Sequence, residues 1–312
     1  MKSTYSEKID KRLKELLTRT SLIFGISEEE AGALFTPKKS SLVAIKPKVV
    51  NTLAKDRLSK IAWANQAYVI EGEKALFTHS EEFLTGQIYI QNASSLLPVI
   101  ALAPKPDEII LDMCAAPGGK TIHIACLTGN KAKIYANDEN TGRVENMKKL
   151  CELYDAKVYN YSSFPAQHLG RYLPTEYFDK VLLDAPCSGE GMINLSKPDT
   201  LRFWSPKKIK RLSRLQKMMI AEGLKLLKPG GTLVYSTCTL APEENEEVIY
   251  WALKNFSGLE LVNPEVKPKV ANATDGITQW KGKKLHDSCS RCLRVKPNEY
   301  MEAFFVGVVK KA

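Results

Sequence analysis

Short apolar runs alternate with stretches of helical hydrophobic spacing along most of the chain beyond residue 107. The runs are bounded by turn residues, as expected for buried strands, whereas the stretches between them repeat apolar residues every three or four positions. The runs predict strands at residues 108–113, 133–138, 157–159, 179–184, 232–235 and 302–309. Helices are predicted from residue 118, at residues 142–153, from Ser205 and Pro206 to residues 229–231, and at residues 242–255. This alternation is typical of an α/β fold with a doubly wound, mostly parallel sheet.

The beginning of the chain lacks this regular alternation. Apolar residues between Ile9 and Leu17 have helical spacing, and strand-like runs follow at residues 41–45 and 67–70. We therefore predict two domains, a small α+β module over residues 1–84 and a larger α/β domain over residues 85–312.

The charge balance favours a polyanionic partner. The chain has 45 Lys and Arg residues against 35 Asp and Glu residues, for a net charge of +10. Such an excess promotes binding to nucleic acid through counterion release. The chain starts without an apolar stretch suited to secretion, and it has no apolar run long enough to span a bilayer. Its seven cysteines are an odd number and suit free thiols in a reducing compartment, so we expect a cytoplasmic protein. We also expect a monomer.

The turn after the first predicted strand of the larger domain is built from small residues. It runs from Cys114 to Lys120 and lets a ligand lie against the backbone at a helix N-terminus. It is neither a GxGxxG motif nor a phosphate-binding P-loop, so a nucleoside with an amino-acid tail suits it better than a pyrophosphate. Asp138 ends the second strand, where a carboxylate can accept hydrogen bonds from both ribose hydroxyls, although it could also be an ordinary strand-end cap.

Two cysteines, Cys187 and Cys238, lie in polar turns that follow two further core strands. Because ligands in such sheets bind at the carboxyl ends of the strands, we expect both thiols to face one crevice with Asp138 and Lys120. A thiol attacks as a thiolate, which helix N-termini and Lys120 would stabilise. The alternative for a lone cysteine after a strand is a small buried hydrophobe, and Cys114 fits that description.

Two other patterns leave alternatives open. Lys207, Arg211 and Arg214 share one face of a predicted helix, either as a solvated surface or as a site for a polyanion near the crevice. Cys289 and Cys292 form a CxxC pair with only His286 as a further ligand nearby, so a surface turn is favoured over a zinc site. We predict no metal site.

Five ordered motifs resemble the Sun-type (Nop/Sun) family of RNA cytosine-5 methyltransferases, which use S-adenosylmethionine. The motifs are Tyr89-Ile90-Gln91-Asn92-Ala93-Ser94-Ser95, Asp112-Met113-Cys114-Ala115-Ala116-Pro117-Gly118-Gly119-Lys120-Thr121, Asp184-Ala185-Pro186-Cys187-Ser188-Gly189-Glu190-Gly191, Ser236-Thr237-Cys238-Thr239 with Pro242-Glu243-Glu244-Asn245, and the tail from Arg294 to Lys310. The resemblance implies the class I S-adenosylmethionine-dependent methyltransferase fold, which is Rossmann-like with an antiparallel final strand. It also implies an RNA substrate, ribosomal or transfer, with a single-stranded or loop cytosine as target, and an N-terminal module that contacts RNA.

The resemblance assigns roles to four residues. Cys238 would be the nucleophile that adds to carbon 6 of cytosine, and Asp184 would bind the cytosine edge near ring nitrogen 3. Cys187 would assist release of the covalent adduct, and Lys120 would lie beside the base. The implied cofactor contacts are Cys114, Ala115, Ala116, Pro117, Gly118, Gly119, Lys120, Asp138, Arg143 and Asp184.

The sequence departs from the family pattern in three places. Residues 159–164 contain no carboxylate to hold the adenine amine, and Ala303 replaces a common glycine. Residues 42–46 stand where the family often has an Arg-x-Asn-Thr strand.

Two other functions stay open. In a DNA cytosine-5 methyltransferase Cys187 would attack, but only 51 residues separate it from Cys238, which leaves little room for a target-recognition insertion. In an RNA-binding scaffold with an inactive cofactor pocket, the intact set of Lys120, Asp184, Cys187 and Cys238 would have no purpose.

Overall fold

The computed structural model describes residues 2–46, 49 and 55–312. The first part of the chain contains four helices and four strands within these residues. They are α1 (Lys2–Phe24), α2 (Glu28–Ala33), β1 (Ser41–Ala44), β2 (Leu58–Lys60), β3 (Ala67–Ile70), α3 (Ala75–Thr78), α4 (Glu81–Leu84) and β4 (Ile88–Gln91).

The remainder of the chain forms the larger sheet and the helices around it. Its elements are α5 (Leu97–Leu102), β5 (Ile109–Asp112), α6 (Gly119–Leu127), β6 (Lys133–Asn137), α7 (Thr141–Leu153), β7 (Asn160–Ser162), β8 (Phe178–Asp184), α8 (Pro206–Leu226), β9 (Leu227–Thr237), α9 (Glu246–Asn255), β10 (Leu259–Val262), β11 (Ala273–Asp275), β12 (Gln279–Trp280), β13 (Lys283–Lys284), β14 (Leu293–Val295) and β15 (Phe304–Lys311).

The central sheet has the predicted doubly wound order. Strands β7, β6, β5, β8 and β9 are neighbours in that order and run parallel, and β15 pairs antiparallel with β9. The chain therefore moves outward in one direction from β5 through β6 to β7, and in the other from β8 to β9. This reversal between β5 and β8 opens a crevice at the carboxyl ends of the strands. The predicted class I methyltransferase fold is confirmed.

Period-two alternation in the strands fills both faces of the sheet. Ile110 and Leu182 belong to the apolar cluster on one face, whereas Leu111, Val181 and Leu183 belong to the cluster on the other. All five side chains are completely buried, and burial of each such side chain contributes about 1.5–3 kcal/mol. The two packed faces hold the strand ends rigidly, and with them the turns that line the crevice.

Several boundaries differ from the prediction. The third strand begins at Asn160 rather than residue 157, because Tyr159 donates to the Ile134 carbonyl before regular pairing of Tyr135 with Asn160 begins. Helix α8 ends at Leu226, and the Pro-Gly-Gly segment at residues 229–231 lies inside β9. A register shift between Phe178 and Lys180 of β8 accommodates these extra residues.

The last predicted helix also begins later than expected. Helix α9 starts at Glu246 rather than at Pro242. The preceding residues form a turn. Its backbone N–H groups at Glu244 and Asn245 donate to the carbonyls of Ala241 and Pro242, respectively.

The N-terminal elements pack against the larger domain. Strands β2, β3, β1 and β4 form a separate antiparallel sheet, and β4 lies on the far side of the boundary predicted at residue 84. Leu16 of α1 joins one apolar cluster with Trp204 and Leu240, and Arg19 forms an ion pair of 2.6 Å with Glu243. Helix α1 therefore supports the segments that follow Cys187 and Cys238. The division at residue 84 stays a prediction.

The CxxC pair does not lie in a surface turn, so that interpretation was wrong. Cys289 and Cys292 are both completely buried in the apolar cluster beneath α9. Burial raises the pKa of Cys289 to about 12 and that of Cys292 well above its usual range, so both keep their protons. Within the described ranges no group of His, Cys, Asp and Glu side chains is arranged to hold a metal ion, and all seven cysteines are free.

The described helices include none with the length and apolar content that a membrane crossing requires.

Candidate active site

The turns that follow β5, β6, β8 and β9 converge on one cavity of about 260 Å³. Seven of the residues predicted from the sequence line it: Cys114, Ala116, Asp138, Arg143, Asp184, Cys187 and Cys238. These residues come from four separate strand ends, so the parallel sheet brings them together.

A second cavity of about 210 Å³ adjoins the first and shares Cys114, Ala116 and Asp184 with it. Four more predicted residues line this second cavity: Ala115, Pro117, Gly119 and Lys120. Gly118 lines neither cavity and instead precedes α6 with φ +116°. A Cβ on Gly119 would lie 2.8 Å from the Tyr89 ring, so the turn must be free of side chains to pack there.

The two candidate catalytic thiols are in contact. Strands β8 and β9 are paired neighbours with Asp184 opposite Ser236, so Cys187 and Cys238 leave the sheet side by side. Their Sγ atoms are 3.2 Å apart. The hydrogen bond to Cys238 and burial raise the pKa of Cys187 well above the usual range of a thiol. Cys187 therefore keeps its proton and can donate it towards the Cys238 sulfur.

Lys120 and Asp184 form an ion pair beside the thiols. Lys120 Nζ lies 2.7 Å from Asp184 Oδ2, and Ser236 Oγ donates to Asp184 Oδ1 at 2.7 Å. Burial alone would lower the pKa of Lys120, but attraction to Asp184, and more weakly to Asp112 and Cys238, raises it. The ammonium group therefore stays charged and favours negative charge in its surroundings.

Two buried glutamates connect the cysteine turns reciprocally. Glu190, three residues after Cys187, accepts hydrogen bonds from Thr239 Oγ1 at 3.0 Å and Leu240 N at 2.9 Å. Glu244, six residues after Cys238, accepts one from Ser188 N at 2.9 Å. The Cys238 turn is thus held by a carboxylate from the segment that follows Cys187, and the Cys187 turn by one from the segment that follows Cys238.

The glutamates make further bonds that fix their positions. Glu190 also accepts from Trp204 Nε1 at 2.8 Å, and Glu244 from Gln216 Nε2 at 2.8 Å. Both carboxylates are 1% exposed or less, and burial raises the pKa of Glu244 to about 7. Both glutamates lie within motifs that carry the family resemblance, but no role was predicted for them, because a glutamate in a polar turn carries no local sign of burial.

The end of β6 holds the other charged pair of the cavity. Asp138 is 3% exposed, and its carboxylate oxygens lie 3.1 and 3.2 Å from Arg143 Nη1. Arg143 Nη2 also donates to the Ala116 carbonyl at 2.5 Å. This arginine therefore ties the small-residue turn to Asp138.

The residues present fit S-adenosylmethionine. Asp138 offers a carboxylate for ribose hydroxyls, Pro186 and Met219 provide apolar walls, and Ala116 leaves room beside the backbone. Residues 159–164 contribute no side chain to the wall of this cavity, and Ala166 and Glu139 line it instead. The adenine contact of the family pattern thus has no counterpart in residues 159–164.

Cys114 lines both cavities and is half-buried, but its surroundings disfavour a thiolate. Burial and the nearby carboxylates of Asp112 and Asp184 raise its pKa well above the usual range. Asp112 itself is 1% exposed and accepts from Thr121 Oγ1 at 2.8 Å. Burial raises the pKa of Asp112 to about 7.

Several cavity residues were not among the predicted site residues. Tyr89, Gln91 and Ser95 line the second cavity, and Met192 and Met219 line the first. Tyr89, Gln91 and Ser95 belong to a motif that the resemblance singled out, so that motif could have located them. The two methionines carry no such signal.

Comparison with known proteins points in one direction. The profile of a family described as 16S rRNA methyltransferase RsmB/F matches residues 99–310. The tRNA (cytosine(49)-C(5))-methyltransferase of Pyrococcus abyssi is 35% identical over 98% of this chain and 99% of its own length. Ribosomal RNA small subunit methyltransferase F of Vibrio campbellii is 35% identical over 82% of this chain, which spans only 52% of that relative. The crystal structure of a methyltransferase homologue from Pyrococcus horikoshii has a TM-score of 0.77 at 32% identity, and the match covers 96% of this chain and 99% of that one.

Proposed function

The chain belongs to the RsmB/F family of RNA cytosine-5 methyltransferases, and we propose that it methylates carbon 5 of a cytosine in tRNA or rRNA through a covalent adduct with Cys238. S-adenosylmethionine is the proposed methyl donor. The observation that carries the proposal is the contact between the Cys187 and Cys238 sulfurs in the cavity that also holds Asp184.

Cys238 is the nucleophile in this proposal. Its sulfur is in hydrogen-bond contact with that of Cys187, whose raised pKa favours the protonated form of Cys187. The charged Lys120 is close enough to attract negative charge at the Cys238 sulfur. The thiolate forms a bond to carbon 6 of cytosine, and the ring electrons shift so that carbon 5 becomes nucleophilic.

Asp184 and Lys120 hold the base during this addition. Negative charge spreads over the cytosine ring when sulfur adds, and hydrogen-bond donors at the ring edge stabilise it. As sulfur adds, a proton passes from the Lys120–Asp184 pair to ring nitrogen 3 and returns on release, while the second oxygen of Asp184 stays bound to Ser236. S-adenosylmethionine, when bound, supplies the electrophilic methyl group that carbon 5 takes up.

Release requires that the carbon 5 proton pass to a base, for which water entering the open cavity is available, and that the bond between carbon 6 and sulfur break. The electrons of the carbon–hydrogen bond restore the ring double bond, and those of the carbon–sulfur bond return to Cys238. The Cys187 thiol is next to that sulfur and donates to it, which makes the thiolate a better leaving group. Cys187 is therefore the residue that releases the product.

A methyl-transfer assay tests the proposed function. The purified protein is incubated with methyl-labelled S-adenosylmethionine and unmodified tRNA transcripts, rRNA fragments or DNA, and bisulfite sequencing maps the product. We expect 5-methylcytosine at a single-stranded or loop position of one RNA. Label in DNA alone, or none in any RNA, would contradict the proposal.

The alternative, a DNA enzyme, exchanges the roles of the two cysteines. In that case Cys187 forms the adduct and Cys238 is incidental. No feature of the site favours this exchange, because the raised pKa of Cys187 keeps it protonated.

A further inference from the structure

A strongly basic groove lies beside the active site, along the first half of α8. It has a volume of about 660 Å³ and is lined by Ser205, Lys207, Lys208, Lys210, Arg211 and Arg214. The face predicted from Lys207, Arg211 and Arg214 is thus confirmed as one surface. The five cations form no ion pair with any carboxylate in the part of the chain that the structure describes. Unneutralised cations concentrated in one groove attract a polyanion.

The groove is joined to the catalytic cavity through the Cys187 turn. Lys208 Nζ donates to the carbonyl of Ser188 at 3.3 Å, directly after Cys187. Met192, at the other end of the same turn, lines the catalytic cavity and is 62% exposed. The Cys187 turn therefore contributes to the catalytic cavity and is bonded to a residue that lines the groove.

An exposed aromatic side chain lies two residues before Ser205, which lines the groove. Phe203 immediately precedes the buried Trp204 and is 71% exposed. The guanidinium carbon of Arg202 lies 5.4 Å from the centre of the Phe203 ring. An exposed ring bordered by cations is how proteins stack the bases of single-stranded nucleic acid.

We propose that this groove binds the single-stranded RNA that flanks the target cytosine, with phosphates on Lys207, Arg211 and Arg214 and a base on Phe203. The inference rests on the proposed function, since it takes the occupant of the cavity to be a cytosine of RNA. Residues 207 and 214 are separated by roughly 10 Å of helix rise, so more than one phosphate of a strand is within reach. An acidic protein segment would use the cations but would leave Phe203 unexplained.

The test compares two variants that each lose three positive charges. The groove variant, Lys207→Gln/Arg211→Gln/Arg214→Gln, removes three of the five positive charges that line the groove. It keeps Lys208, whose side chain donates to the Ser188 carbonyl. Lys131→Gln/Lys149→Gln/Lys157→Gln is the matched control, because these exposed lysines lie around β6 and α7, away from the groove. Binding of a fluorescent single-stranded RNA is measured over a range of salt concentrations, with thermal unfolding to confirm folding.

We expect the groove variant to bind RNA at least tenfold more weakly than the wild type. The plot of log affinity against log salt concentration should become less steep by about 2, because three phosphate contacts are lost. The control should keep both close to wild type. Equal losses in the two variants, or no loss in the groove variant, would overturn the inference. If the wild type methylates RNA but the groove variant binds normally, only the groove assignment fails, whereas a wild type that methylates no RNA contradicts the proposed function.

Substitution of Phe203 provides a second, independent test, because it changes the proposed stacking contact without removing a charge. Phe203→Ala should weaken binding about tenfold through lost stacking, and Phe203→Trp should restore it. Vesicles containing phosphatidylserine serve as the competing anionic surface. If the groove variant loses vesicle binding while its RNA binding and that of Phe203→Ala stay intact, the groove is a membrane site and the inference is overturned.

Discussion

The turn that carries Cys187 and the turn that carries Cys238 follow neighbouring parallel strands, yet their thiols have different surroundings. The pKa of Cys187 is raised well above its usual range by its hydrogen bond to Cys238 and by burial. Cys238 lies on the other side of that bond, near the charged Lys120. Two cysteines at equivalent positions can thus differ in their surroundings, and the proposed division between an attacking and a releasing thiol follows that difference.

The two turns are also mechanically dependent on each other. Glu190 and Glu244 each belong to the segment of one cysteine and hold the turn of the other, and Ser188 Oγ and Thr239 Oγ1 are 2.7 Å apart between them. Loss of either glutamate would therefore free the turn that it holds, and with it the sulfur of that turn. This coupling preserves the 3.2 Å contact on which the proposed division of roles depends.

The largest effect is expected from removing the proposed nucleophile. Cys238→Ala should reduce methyl transfer to RNA by a factor of 10³ or more, because no other thiolate is placed to add to carbon 6. Transfer of labelled methyl groups measures this, and Cys126→Ala, which alters a thiol outside both cavities, should be fully active. Normal activity of Cys238→Ala would contradict the proposal that Cys238 is the nucleophile and Cys187 is not.

Substitution of the bracing glutamates should affect the two turns separately. Glu190→Gln keeps the size of the side chain but loses an acceptor, so we expect adduct formation by Cys238 to slow about tenfold. Glu244→Gln should instead slow release, so that the adduct persists longer. Single-turnover kinetics with RNA separates the two steps, and Glu145→Gln on the exposed side of α7 is the control. Equal slowing of the same step in both variants would show that Glu190 and Glu244 do not each control the turn to which they are bonded.

A smaller effect is expected on the pH dependence of stability. Asp112 and Glu244 have pKa values raised to about 7 by burial, against about 4 in an unfolded chain. Between these values the folded state keeps protons that the unfolded state loses, so their contribution to the free energy of unfolding falls as pH rises from about 4 to about 7.

Urea unfolding at a series of pH values measures this contribution. Relative to Glu244→Gln, the wild type should lose stability over that interval by on the order of 1 kcal/mol per pH unit and show no further change above about pH 7. A constant difference between the two proteins across the interval would mean that Glu244 titrates normally. Glu145→Gln again serves as the surface control.

Much of the sheet could be predicted from the sequence because its signals are local. Apolar runs and turn residues placed β5, β6, β8 and β15 to within two residues. The start of β7 depended on how residues 157–160 pair with β6, which is a tertiary choice between neighbouring segments. Burial of Cys289 and Cys292 likewise depended on α9 packing over them.

The candidate site shows the same limit. Small-residue turns and strand ends located Cys114, Asp138, Cys187 and Cys238 from spacing alone, while their roles came from the family resemblance. Glu190 and Glu244 could not be found in this way, since their hydrogen bonds to the opposite cysteine turn join residues 49 to 56 positions apart in the chain. A buried carboxylate is recognisable only from the donors around it.

The most direct test of the central claim is to detect the covalent RNA adduct in cysteine variants on a denaturing gel. The protein, the RNA substrate and S-adenosylmethionine are mixed with wild type, Cys187→Ala, Cys238→Ala and the double variant. We predict a shifted RNA–protein band that accumulates in Cys187→Ala and is absent from Cys238→Ala and from the double variant. A band that accumulates in Cys238→Ala and not in Cys187→Ala would contradict the account and assign attack to Cys187.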